Sequence, residues 1–190
     1  MKAYLVSRSL DRLLAAITAL ALILFAPLGA LPLPQIVPEE VAIDVPIRVV
    51  GMVVLGALPV VSVAAEMDIL DRSGARPIWL LRLGPVALSA LFTVILVAAL
   101  SILAGVDADA MIRNVLLGSA AAALLHHLLG AVSFLPMTLV SLVAAVVREE
   151  HAWWAITNQP GARSGLLIAM LSVTVALGVL ALTGSGPADQ

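Results

Sequence analysis

The sequence predicts an all-α protein, a polytopic bundle of six transmembrane helices with five as the alternative, and three observations carry that expectation. Of 190 residues, 62% are hydrophobic and only 12% charged, whereas a soluble domain carries about a quarter charged residues. Aromatics make up 4%, so the apolar mass is Ala, Leu and Val, side chains that face lipid tails or let helices pack closely. The apolar residues also come in long runs, not in the strict alternation that the strands of a membrane barrel need. Mean hydropathy is +1.14.

The first apolar run, about 13–31, follows Lys2, Arg8 and Arg12. It has the basic and apolar regions of a signal peptide, but Gly29-Ala30-Leu31 leads into Pro32 and Pro34 without a small-x-small cleavage site, so a retained signal-anchor helix is expected. Pro32 to Pro46, with Glu39, Glu40 and Asp44, reads as a polar loop. A second span covers about 47–65, with Pro59 inside it as a point of kinking. The most charged stretch comes next, and its Met67, Ile69 and Leu70 among Glu66, Asp68, Asp71 and Arg72 read as a short amphipathic helix over 66–76, stopped by Gly74 and Pro77.

A third span covers about 83–104. From Ile112 to Val147 the chain is apolar apart from Arg113, Asn114 and His126-His127. As one helix this stretch would exceed about 50 Å, against a hydrocarbon core of about 30 Å. Gly130 therefore marks a turn between two short spans, about 112–128 and 131–148, the second bent at Pro136. Trp153 and Trp154 place 152–164 at the headgroup level, and a last span covers about 165–183. With the N-terminus cytoplasmic, six spans leave Lys2, Arg8, Arg12, Arg72, Arg76 and Arg82 inside and Arg48, Arg113, Arg148 and Arg163 outside. Five spans would move Arg148 and Arg163 inside at the cost of a steeply tilted or broken helix.

Several classes of function are disfavoured by composition. Cys is absent, which removes thiolate metal sites, disulfides and Cys nucleophiles together. A net charge of -2 offers no basic footprint for nucleic acid. There is no G-x-x-x-x-G-K-[ST] loop, so nucleotide hydrolysis by that route has to come from another chain. Asp and Glu are missing from the middle of the spans, unlike a carrier with its ion site at the midplane.

The candidates that remain are polar residues in apolar surroundings. His126-His127 are neighbours about 100° apart around a helix, so they do not chelate one ion from one face, and a turn at the membrane surface accounts for them. Glu149-Glu150-His151 completes no H-E-x-x-H pattern and reads as a solvated helix end. No G-x-S-x-G accompanies the serines. Neither a catalytic residue nor a metal site is therefore expected. Arg113-Asn114 pairs with Asp107 or Asp109 or meets lipid phosphate, chiefly as an anchor, while Arg113, Asn114, His126 and His127 together are the candidates for a polar substrate path. Ala15, Ala19, Gly118 and Ala122 have the four-residue spacings that allow helices to approach closely.

Four stretches, E-M-D-I-L-D-R-S-G-A-R-P-I-W-L-L-R from Glu66, I-R-N-V-L-L-G from Ile112, F-L-P from Phe134 and W-W-A-I-T-N-Q-P from Trp153, resemble a group of small actinobacterial ABC transporter permeases. The order of parts resembles the membrane subunit of a type-2 ABC exporter. The resemblance implies a bacterial inner-membrane dimer with a second copy of this chain, joined to a separate ATPase subunit that supplies ATP and Mg chemistry. This chain would hold no cofactor, and Glu66, Asp68, Asp71, Arg72 and Arg76 would form the helix that docks on the ATPase. A hydrophobic small molecule or peptide would be the exported cargo. The rivals are a structural or assembly subunit of another membrane complex, and a membrane enzyme using His126 or His151.

Overall fold

The structure, a computed structural model, describes residues 2–33, 45–72, 79–129, 132–147, 169–170 and 172–173. Among them the chain is all-helical, with five named helices: α1 (Lys2–Phe25), α2 (Ile47–Arg72), α3 (Trp79–Ala104), α4 (Ala108–Leu129) and α5 (Leu135–Val147). Two segments are long and apolar enough to cross a membrane, Gly84–Ala104 of α3 and Ala108–His126 of α4, and Ile47–Val63 of α2 is a shorter apolar run. The span expected at 165–183 is described only at four helical residues, and 148–164 lies outside the described residues.

Helix boundaries follow local chemistry. α1 starts at Lys2, well before the expected 13, because Lys2 to Arg12 contains no Pro or Gly and nothing in it resists the helix. It ends at Phe25 and not at 31, since Pro27 forbids continuation and opens a short 3-10 turn, Pro27–Ala30. After Leu33 the described chain resumes at Val45, beside it. There Leu33 N–H donates to the Val45 carbonyl and Ile47 N–H to the Leu31 carbonyl, both at 3.0 Å.

α2 carries Pro59 inside it and continues without interruption to Arg72. The backbone of Glu66, Asp68, Asp71 and Arg72 thus belongs to the same helix as the apolar run, where the sequence pointed to a separate short helix. α3 begins at Trp79, four residues before the expected start, since Trp79-Leu80-Leu81-Arg82 are good or fair helix formers. At its other end Gly105 adopts φ +64°. Gly105 N–H donates to the Ile102 carbonyl at 3.2 Å and Val106 N–H to the Ser101 carbonyl at 3.0 Å, the pair of bonds of a Schellman stop. Asp107 then caps α4, its Oδ1 accepting from the N–H of Asp109 at 3.0 Å and Ala110 at 3.3 Å.

α4 ends at Leu129 and α5 begins at Leu135, so the break expected near Gly130 is present but longer than a tight turn. Pro136 falls in the first turn of α5 and does not bend it. Its missing N–H would have had no partner in the helix anyway.

α2 is the element most widely shared, packing on α1, α3, α4 and α5, and its pairing with α4 is the most extensive in the molecule. Leu24, near the end of α1, seats against Gly51 near the start of α2, so α1 runs against α2. The core collects Ile17 and Ala21 of α1, Met52, Leu55 and Val60 of α2, Val86 and Val97 of α3, and Val115, Ala122 and Ala123 of α4.

Candidate functional site

α2 and α4 run parallel, because the positions they match rise together: Val49 meets Asn114, Val53 meets Gly118, and Gly56 meets Ser119. The contact is reciprocal. A Cβ at Gly56 would fall on the Val115 carbonyl, and a Cβ at Gly118 would fall on the Val53 carbonyl. In each case a glycine of one helix sits against the backbone three residues before the glycine of the other. The stretches concerned are Val53-Val54-Leu55-Gly56 and Val115-Leu116-Leu117-Gly118, a local repeat that places two helix backbones in van der Waals contact.

Polar side chains of α4 fasten this crossing. Ser119 Oγ donates to the Gly56 carbonyl at 2.6 Å and lies 3.0 Å from the Val115 carbonyl of its own helix. One turn nearer the start of α4, Asn114 Nδ2 donates to the Val49 carbonyl at 3.2 Å. Arg113 is 1% exposed, the largest fully buried side chain described, and its Nε reaches Asn114 Oδ1 at 3.5 Å. Asp107, at the cap, acts electrostatically on the same guanidinium.

Arg113 follows the start of α4 by five residues, so it lies about 7–8 Å into the helix. A guanidinium there is a permanent positive charge with five donors and no capacity to relay protons. Such a group inside a bundle holds elements together or presents a fixed charge to something passing. Arg113 and Asn114 are therefore brought together, inside the bundle and not at a lipid-facing surface, with Asp107 as their acidic neighbour. Asp109 is exposed.

His126 is also buried, at 8% exposure, but lies 13 residues further along α4, or about 20 Å away. It does not belong to the Arg113 cluster. His127 sits on the backbone of α4, so the pair is helical and precedes the break without forming it.

Of the residues expected to meet a partner, Glu66, Asp68, Asp71 and Arg72 lie on the backbone of the last turns of α2. Arg76, Trp153 and Trp154 lie outside the described residues. Among the close-packing candidates, Gly118 and Ala122 are at the helix interface, whereas Ala15 and Ala19 are exposed. Gly56 and Ser119 were not singled out from sequence. The matching V-V-L-G and V-L-L-G stretches were the available signal.

No family model, no curated protein and no solved structure matches this chain.

Proposed function

We propose that the chain is a membrane-embedded, non-catalytic subunit of an ABC exporter, acting as a dimer with a second copy and driven by a separate ATPase chain that binds ATP and Mg. The observation that carries this reading is the continuity of α2 from the core to Arg72. Twenty-six residues of helix span about 39 Å, beyond the roughly 30 Å of hydrocarbon. The end bearing Glu66, Asp68, Asp71 and Arg72 therefore projects as a continuation of the helix that packs on four others. A force applied there is carried along α2 toward the α2–α4 crossing.

Lipid contact is supported by the distribution of side chains. On α3, Leu88, Leu91, Ile95, Ile102 and Leu103 are exposed, while Ser89, Thr93 and Ser101 are buried. Ser89 Oγ donates to the Pro85 carbonyl at 2.7 Å and Thr93 Oγ1 to the Ser89 carbonyl at 2.8 Å, so these hydroxyls are satisfied within the helix. The six-span bacterial inner-membrane arrangement puts the end with Lys2, Arg8, Arg12, Arg72, Arg76 and Arg82 in the cytoplasm. Arg48 and Arg113 lie toward the other end. The cargo in this reading is a hydrophobic small molecule or peptide.

The test is purification of the tagged chain in mild detergent, with every co-purifying protein and its stoichiometry identified by mass spectrometry. A P-loop ATPase in equal amount supports the exporter. The chain alone, or with non-ATPase membrane proteins only, overturns it. In the complex, Asp71→Arg or Arg72→Glu is expected to leave ATP hydrolysis running while transport falls at least tenfold, and an unchanged coupled rate counts against this helix end.

A second reading, a structural or assembly subunit without transport of its own, is favoured by the α2–α4 crossing. Backbones in direct contact leave no path between those two helices.

A further inference from the structure

We propose that α2 is hinged at Pro59, with its first half locked to α4 and its charged end free to swing as a lever. Proline at 59 has no N–H to give the Leu55 carbonyl, so one rung of the helix ladder is missing at that turn. The adjacent carbonyl, Gly56 O, accepts from Ser119 Oγ of α4 at 2.6 Å, which pins α2 to α4 one residue past the carbonyl that Pro59 leaves open.

Four described contacts fasten the first half of α2 to α4. Asn114 Nδ2 to Val49 O, Gly118 against Val53 O, Gly56 against Val115 O and Ser119 Oγ to Gly56 O all fall between Val49 and Gly56. They are directional hydrogen bonds or backbone contacts with no slack. Beyond Pro59 the described buried residues are Val60 and Val63, whose contacts are apolar and without preferred direction. The joint therefore sits just past these fastenings, at the turn that lacks a rung.

A kink of about 20° at a proline is ordinary. Leu70 follows Pro59 by 11 residues, an arm of about 16 Å, so such a bend moves it by about 5–6 Å. Ala65 follows by six residues and moves by about 3 Å. This deepens the coupling reading above, on which its functional meaning rests, because a hinge between core and charged end determines how much of a partner's push reaches the crossing.

The chain contains no Cys, so spin labels attach only where a cysteine is introduced. The full chain in lipid nanodiscs carries one of three label pairs: Leu70→Cys with Leu128→Cys, Ala65→Cys with Leu128→Cys, or Ile47→Cys with Asp109→Cys on the locked half. Pulsed electron-electron distance measurements are expected to give a narrow distribution for 47/109. The 70/128 distribution should be broader by about 5–6 Å, and the 65/128 distribution should show about half that excess, in proportion to the arm. Pro59→Ala, which restores the donor, should narrow both broad distributions and leave 47/109 unchanged.

A 70/128 distribution as narrow as 47/109 overturns the hinge. So does breadth at 70 without any at 65, which is fraying of the helix end, and so does breadth that persists in a folded Pro59→Ala protein. The three wild-type pairs decide the matter if that variant does not fold. None of these distances requires an ATPase, so a failed hinge and a failed exporter are distinguished: the first is read from the labels, the second from the co-purifying proteins.

Discussion

α3 and α4 are joined by a three-residue connection and are similar in length, yet they are built on opposite plans. The candidate span of α3 is the more apolar of the two, but only 28% of it is buried, against 61% for α4. α4 holds Arg113, Asn114, Ser119 and His126 inside the bundle. In water this arrangement would be upside down, since apolar burial is the main force driving folding. In hydrocarbon it is the economical one, because lipid accepts Leu and Ile without cost and polar groups gain by finding each other. The difference teaches that in this bundle hydropathy marks the wall and polarity marks the seam.

The largest way to break that comparison is at the seam. Gly118→Leu drives a side chain into the Val53 carbonyl, backbone that moves only if the helices part, and is expected to cost more than about 4 kcal/mol. Loss of the monodisperse peak in detergent size-exclusion chromatography would register it, and a normal peak with an unchanged thermal midpoint would refute the crossing. Next comes the wall. Ile95 is 60% exposed, so Ile95→Asp should cost about 3 kcal/mol of insertion if it meets lipid. A membrane-insertion assay would show a large fall in the spanning fraction, while no change would mean the outer face of α3 meets water or protein. The smallest expected effect is Ser119→Ala, at about 1 kcal/mol for one interhelical hydrogen bond, seen as a lowered midpoint in a denaturant titration.

The features legible in the sequence were those governed by local chemistry. The break between α4 and α5 was announced by polar residues and Gly130 in an overlong apolar run, and α3 ends where the third span was expected to end, at about 104. α1 extends beyond the expected span at its start, because Lys2, Arg8 and Arg12 are compatible with helix throughout. Pro136 was assigned a bend by residue type alone, although its effect depends on which turn it occupies. Arg113 and Asn114 stood out as polar residues in an apolar run, but whether they face lipid phosphate or the interior depends on how α4 is rotated against α2. That rotation is set by Gly56 and Gly118, two residues 62 positions apart, and neither signals its partner alone.

The stop at Gly105 has a consequence for how the protein is made. A Schellman turn followed at once by the Asp107 cap leaves no slack between α3 and α4, so on the membrane reading proposed above the two helices would enter the bilayer as one hairpin during synthesis. α4, with a guanidinium and an amide near its leading end, is a poor candidate for insertion by itself. On that reading the surplus of apolar surface on α3 would carry it in, which would make the wall helix the chaperone of the seam helix.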